Sequence, residues 1–269
     1  MSGILRSQAS IPRRSAGRRR LARWLSPALA VLLLSGWQLV AWRRVYASFI
    51  LPSPLSVWRR FLSVMADGSL PTHTLVTLSE VLGGLLLGLT VALTLGYLLA
   101  KSPALEELLL PYLVASQALP IVALAPLLVI WLGAGTLSKV VVCALTLFFP
   151  VLVNTVVGIR SVEPGLRDLM RSLEAGRLQT LWHLEIPAAL PVLLSGLKIG
   201  LALSVIGAVV GEFVAADRGL GFLVNLARGL FDTPLMFVAL FTLMGIALVF
   251  YAGMSLLEQA LLRWQRESG

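Results

Sequence analysis

The sequence predicts an all-α polytopic membrane bundle of about six transmembrane helices, with one long charged loop between the fourth and fifth. Three observations carry this expectation. Hydrophobic residues make up 58% of the 269 residues and charged residues 13%, with a mean hydropathy of +0.89. A soluble domain is nearer half apolar and a quarter charged, so this chain has too little polar surface to solvate a globule, and lipid is the solvent for most of it. Six apolar stretches meet or approach the roughly 20 residues of helix needed to cross a hydrocarbon core. None shows the weak ten-residue alternation of a membrane barrel. Backbone groups in lipid must pair within their own segment, so the spans are expected to be helices.

Taken in order, residues 1–23 form a basic tail with Arg6, Arg13, Arg14, Arg18, Arg19, Arg20 and Arg23 and no apolar period, expected to be disordered. The apolar run after it lacks a clear small-x-small cleavage site, so it reads as a signal anchor rather than a removed leader. Residues 24–74 hold the first span, 24–42, and an external amphipathic segment at 54–65. The transmembrane domain is expected over 75–264, with spans at 75–100, 108–132, 137–159, 188–213 and 235–257, and 265–269 as a second tail. The third span contains Pro111, Pro120 and Pro126, each lacking a backbone donor, so it is expected to be kinked or broken. The fifth contains Gly196-x-x-x-Gly200 and Gly207-x-x-x-Gly211 with Ser204 between them, a small-residue face for close helix packing.

The net charge of +9 does not point to nucleic acid, because its excess lies mostly in the tail beside an apolar run. With the N-terminus inside, the cytoplasmic segments hold fourteen Lys and Arg against seven outside, and the N-in, C-in orientation follows. Cys143, the only cysteine, excludes an intrachain disulfide or a cysteine-rich metal site. Neither histidine, His73 or His183, falls within an expected span, and no G-x-S-x-G elbow is present. An enzyme therefore lacks its parts, and no metal or other cofactor is expected. No Gly-Lys dipeptide occurs, so the chain carries no phosphate-cradling G-x-x-x-x-G-K-[ST] loop.

Polar groups within the spans are few. Ser116 and Gln117 precede Pro120, Asn154 is late in the fourth span, and Lys198 and Ser204 are in the fifth. These six residues are candidates for a translocation path, since ionisable or polar groups at membrane depth are functional by default; Lys198 has the alternative of snorkelling to the headgroups. Glu80 and Glu212, near the outer span ends, are expected at the water boundary or in a subunit interface.

Residues 160–191 are too polar to span and too long for a turn. Glu163-Pro164-Gly165 starts a turn. Leu166, Leu169, Met170 and Leu173 then recur at three-to-four spacing, predicting a short amphipathic helix that shows Arg167, Asp168, Arg171 and Glu174 on its other face. A second short helix is expected with Leu178, Leu181, Trp182 and Leu184 on one side, before Pro187 and Pro191 lead into the fifth span. A loop lying along anionic headgroups would explain the arginines but not Asp168, Glu174 and Glu185 among them.

This loop resembles that of the permease subunits of bacterial ABC importers, EAA-x3-G-x9-I-x-L-P. Asp168-Leu169-Met170 stand at EAA, Glu174 at the glycine, and Leu184-Glu185-Ile186-Pro187 at I-x-L-P, with the spacing kept. The departure at Glu174 leaves two ways to make the turn, Glu174 itself or Gly176 two residues on. The resemblance extends over about 78–264. It includes Ser116-Gln117-Ala118-Leu119-Pro120-Ile121, which is similar to the nitrate/sulfonate/taurine group, and Gly211-Glu212 with Gly219-Leu220-Gly221. Within that group the wording is most similar to importers of vitamins or their precursors, such as riboflavin or hydroxymethylpyrimidine.

The resemblance implies an inner-membrane permease working as two copies, with an ABC ATPase docked on 166–186 and an extracytoplasmic binding protein delivering the solute. It makes Arg167, Asp168, Arg171, Glu174, Ala175, Gly176, Ile186 and Pro187 the coupling residues. The alternatives are a permease for sulfonate, taurine or nitrate, and an ion-driven secondary transporter. The latter usually shows internal repeats and buried acidic relays, and neither is evident. The binding subunit of an energy-coupling-factor vitamin importer would lack this docking loop.

Overall fold

The computed structural model describes residues 16–43, 47 and 49–263, with side chains from Ala28 onward except Ala30. The expectations for residues 1–15, for Arg44 and for the tail 265–269 lie outside the described residues. Among those described, the regular elements are all helical: α1 Ala16–Trp42, α2 Pro54–Ala66, α3 Ser69–Lys101, α4 Pro103–Gln117, α5 Ile121–Leu132, α6 Thr136–Arg160, α7 Pro164–Ser172, α8 Arg177–Thr180, α9 Ile186–Ala215, α10 Leu220–Gly229 and α11 Thr233–Leu261. A π-helical turn, Leu181–Glu185, joins α8 to α9.

Two compact units divide the chain, Met1–Val57 and Trp58–Gly269, and each is taken by itself. In the first, α1 starts at Ala16, within the basic stretch expected to be a tail. Trp37 Nε1 donates to the Pro52 carbonyl at 2.9 Å, and Ser53 Oγ accepts from the Ser56 N–H at 3.1 Å to open α2.

In the second unit, α3, α6, α11 and the continuous rod Arg177–Ala215 are long and apolar enough to cross a membrane. The pair α4 and α5 makes a fifth crossing if counted together, bent by 98°. Of the six expected spans, the remaining one falls on α1, where the described apolar part is Val31–Trp42. The third expected span is two helices, and only one of its three prolines breaks it. Pro111 and Pro126 stay inside α4 and α5, whereas Pro120 stands at the N-cap of α5 with extended backbone. Ahead of it the Ala118 and Leu119 N–H groups fall back to the carbonyls of Ala115 and Ser116, closing α4 with a tightened last turn. The outer surface is apolar, with Leu86, Ile130 and Val249 at least 70% exposed. That is the surface of a chain solvated by lipid.

Helix α6 lies between α3 and α9, and glycines set the distance. On α3, a Cβ at Gly88 would meet the Ala144 carbonyl at 2.9 Å, and one at Gly96 would meet Thr155 Cβ at 2.7 Å. On α9, a Cβ at Gly207 would meet Cys143 Cα at 2.9 Å, and one at Gly211 would meet Lys139 Cγ at 3.0 Å. The pairings rise together along α3 and α6 and run oppositely along α9 and α6. So α3 and α6 are parallel, α9 is antiparallel to both, and the loop 161–185 lies at the end of the bundle where α3 also finishes. The Gly196/Gly200 and Gly207/Gly211 face is therefore a backbone contact surface, as the small-residue spacing predicts.

Substitution separates these glycines from those that merely fill helix. Gly207→Leu forces a side chain into the backbone of α6, where no rotamer relieves it; overpacking of this kind costs about 1–3 kcal/mol or more. Nothing lies within 4 Å of a Cβ at Gly253. Thermal unfolding in detergent should show Gly207→Leu strongly lowered or unrecoverable as folded protein, and Gly253→Leu near wild type.

Candidate functional site

The loop 161–185 is built as a rigid bracket. Arg160, the last residue of α6, reaches back to α4 in a two-bond pair with Glu106, the first at 2.9 Å, and also donates to the Leu99 carbonyl at 3.2 Å. Such forked arginine–carboxylate pairs fix direction as well as distance. Pro164 then sits in the first turn of α7, where its missing N–H costs nothing. Arg167 turns inward and donates to the Ile159 carbonyl at 2.7 Å, so it ties α7 to the end of α6 rather than facing outward with its neighbours. Asp168 and Arg171 are exposed and pair with each other at 3.1 Å.

The turn after α7 is made by Glu174. Its φ is +53°, whereas Gly176 is extended at φ −66°, ψ 162°. The Ala175 N–H donates to the Met170 carbonyl at 3.0 Å and the Glu174 N–H to Arg171 at 2.9 Å, the paired bonds of a helix that ends on one left-handed residue. Glycine usually takes that position because a Cβ is penalised there. Gly176 instead caps α8, its N–H donating to Gln179 Oε1 at 2.8 Å.

Beyond the turn the expected separate second helix does not exist. α8, the π-helical turn and α9 are one continuous helix, Arg177–Ala215. Pro187 offers no N–H to the ladder, and the chain passes it because the preceding turn is widened: the Ile186 N–H bonds to Leu181, five residues back. Ile186 and Pro187 are half-buried at this junction, as is Ala175 at the turn. Glu185 is not part of an exposed charged face. It is buried at 1% and paired with Lys101 at the end of α3, which pins the junction to the helix bundle. What the bracket shows outward is Asp168, Arg171, Glu174 and Gly176 beside an apolar set, Leu166, Leu169, Leu173, Leu178 and Trp182, with Leu178, Leu173 and Trp182 the most open at 71%, 67% and 65%.

The other candidate residues fall in three places. Ser116, Gln117 and Pro120 come together at the α4–α5 break, with the Ser116 hydroxyl on the Leu113 carbonyl at 2.9 Å. Asn154 lies flat against Gly196 and bonds the Pro150 carbonyl at 2.7 Å, and Ser204 is fully buried between α9 and α3, 3.5 Å from the Val81 carbonyl. Lys198 is half-buried on α9. It pairs with Glu258 of α11 and lies 5.7 Å from the centre of the Tyr251 ring.

A cluster that periodicity did not reveal closes the opposite end of the bundle. Glu80 and Glu212, expected at the water boundary or in an interface, are 2% and 1% exposed inside the chain, and Lys139 is 3% exposed beside them. Glu212 accepts from the Thr77 hydroxyl at 2.6 Å and from the Gly221 N–H. Thr77 Oγ1 accepts in turn from the Leu220 N–H at 2.8 Å. His73, which falls outside the expected spans, is in the first turns of α3, where its Nδ1 accepts from the Gly219 N–H at 2.9 Å. The sequence signal was the pair Gly219 and Gly221 after Glu212: both places would put a Cβ against the Glu212 carboxyl.

The family of binding-protein-dependent transport system inner membrane components matches residues 84–263. The chain is 51% identical over 239 residues to the riboflavin transport system permease protein RibX of Chloroflexus aurantiacus, covering 89% of each. It is 35% identical to the formylaminopyrimidine transport permease protein ThiX of Halalkalibacterium halodurans, over 90% of this chain and 97% of that one. A chain of the MetNI methionine ABC transporter in an inward-facing conformation shares the fold, with a TM-score of 0.61 at 18% identity, over 70% of this chain and 94% of that one. The protein belongs to the binding-protein-dependent permease family: it is the permease subunit of an ABC transporter and not an enzyme.

The strained turn gives a direct check on the bracket. Glu174→Gly should raise the melting temperature of the purified protein, by up to about 1 kcal/mol of relieved left-handed strain. Glu174→Val, β-branched at positive φ, should lower it. A neutral Val variant would mean the turn is not left-handed.

Proposed function

We propose that this chain carries riboflavin, or a closely related vitamin or vitamin precursor, across the bacterial inner membrane, with its N- and C-termini in the cytoplasm. The observation that supports this solute is the 51% identity, over nine-tenths of the chain, to a permease named for riboflavin transport. Two copies form the pore, an extracytoplasmic binding protein delivers the solute, and a separate ABC ATPase supplies the energy.

The ATPase docks on residues 166–186. Exposed Leu169, Leu173, Leu178 and Trp182 supply the apolar anchors, and Asp168, Arg171 and Glu174 the polar rim. Large apolar side chains ringed by charge are the usual energetic centre of an interface. Arg167, Ala175, Gly176, Ile186 and Pro187 set the shape of the surface. Because Arg177–Ala215 is one helix, movement of the docked ATPase tilts α9 as a rod, a rigid-body switch between access states. Coupling then requires that the ATPase bind the two states unequally. Ser116, Gln117 and Pro120, at the bend between α4 and α5, face the path. Asn154 and Ser204 hold the helices behind it, and Lys198 fixes α9 to α11. With so few charges at depth, selectivity rests mainly with the binding protein.

Two experiments test this. Co-expressed with its ATPase and binding protein in a riboflavin auxotroph, the chain should restore growth and labelled riboflavin uptake. Uptake of taurine or hydroxymethylpyrimidine instead, uncompeted by riboflavin, would overturn the solute. For docking, Trp182→Ala and the double change Asp168→Lys/Arg171→Glu should each weaken co-purification of the ATPase by about tenfold or more, as loss of 1–2 kcal/mol at an anchor does. Unchanged co-purification of both would refute the docking surface.

A further inference from the structure

The two acids of the carboxyl cluster at the far end of α3, α6 and α9 are unequally partnered. Glu212 has its donors: Thr77 Oγ1 at 2.6 Å on one oxygen, the Gly221 N–H on the other. Glu80 has none from the backbone or from a neutral side chain. It is 2% exposed, its Oε2 is buried without a partner, and its carboxyl lies within hydrogen-bond reach of Glu212. Two carboxylates in contact, screened from water, repel, and a hydrogen bond between two carboxyl groups exists only if one of them carries a proton. Among the described residues Lys139 is the only buried cation facing them, donating to the Ala134 carbonyl from the first turn of α6. One ammonium balances one carboxylate, not two.

We propose that Glu80 and Glu212 form a proton-binding site in which Glu80 is the neutral acid, donating its O–H to a Glu212 carboxylate, and that the bound proton fastens the turn 216–219 and α10 to α3. The other groups facing the pair are compatible with one proton there. His73 Nδ1 accepts from Gly219, so that nitrogen is unprotonated, and the ring is stacked 5.7 Å from Phe222. Asp217 and Arg218 face His73 with opposite charges. The Cys143 side chain faces Glu80 from α6 and the Ser204 hydroxyl lies beside it. The three main-chain N–H groups of Gly219, Leu220 and Gly221 all end on this cluster, through His73, Thr77 and Glu212. Glu212 and Thr77 are thus positioning residues for the start of α10, and Glu80 is the residue that lets Glu212 remain a buried acceptor.

The two carboxyls then respond differently to the same substitution. In Glu80→Gln the amide N–H replaces the acid O–H as donor, whereas Glu212→Gln removes an anionic acceptor from Thr77 and Gly221 and leaves Lys139 unbalanced. The test is infrared spectroscopy of the purified, folded chain with thermal unfolding at several pH values. Wild type should show the C=O stretch of a protonated buried carboxyl, which Glu80→Gln loses while keeping its melting temperature within about 2 °C. Glu212→Gln should melt about 5 °C lower or more. The sign with pH follows from the site: the stability is present while the proton is bound and is lost as the medium becomes more alkaline. Wild type should show this loss and Glu80→Gln should not. Survival of the carboxyl band in Glu80→Gln, or an unchanged alkaline loss in that variant, would overturn the assignment. So would equal destabilisation by the two glutamine substitutions.

Discussion

The seating of α6 against the glycine faces of α3 and α9 is the contact on which the rest of this structure depends. Lipid gives packed helices no hydrophobic reward over helices dispersed in the bilayer, so association rests on close van der Waals contact and on the polar bonds that closeness permits. Gly84, Gly88 and Gly96 on one side and Gly196, Gly200, Gly207 and Gly211 on the other bring backbone to within a Cβ of α6 along its whole length. Three helices at that spacing behave as one body. The loop 161–185 and the carboxyl cluster are attached to its ends.

At the loop end, Lys101 of α3 meets Glu185 at the start of the rod, and Arg160 and Arg167 bind the end of α6 to α4 and α7. At the opposite end, Glu80, Glu212 and Lys139 come from the same three helices. Stranding a buried charge by removing its partner costs about 3–5 kcal/mol; Glu185 and the Glu80, Glu212 and Lys139 cluster are buried in this way, whereas the Arg160–Glu106 pair is partly exposed and holds more weakly. The bent pair α4–α5 has no such buried charge within it; α4 has no fully buried residue and α5 only Ala125. In the proposed mechanism, the unit packed tightly in α3, α6 and α9 pivots as a whole while the less buried α4 and α5 change the shape of the path beside it.

Much of this was legible in the sequence, and the gaps have physical causes. The lipid-solvated helices follow from charge deficit and span length. The loop followed from its three-to-four apolar spacing and its kept motif. The small-residue faces on α9 were read correctly because side-chain size is a property of the residue alone. Three things depended on partners distant in sequence. Glu80 and Glu212 looked like boundary residues, and His73 fell outside the expected spans, because the bonds that close this cluster join residues far apart in sequence: Thr77 to Glu212 over 135 residues and His73 to Gly219 over 146. Glu185 looked like surface charge because Lys101 lies 84 residues away. Glu174 looked like a departure from the turn; the helix end holds it left-handed with two backbone bonds, so an unfavourable residue is kept by favourable geometry. Pro187 looked like a helix boundary because the π-helical turn that accommodates it leaves no mark in composition.

In the proposed mechanism, force passes from the loop to the far end of α9 without loss at that widened turn. Spin labels at Leu178 and Phe213, both exposed, stand 35 residues apart on one helix, about 50 Å at 1.5 Å per residue. In the assembled transporter, with one protomer labelled, their distance distribution should be the same with and without ATP while transport proceeds. A shortening or broadening on ATP binding would show that the helix yields at Leu181–Glu185, and the rod would not be what carries the motion.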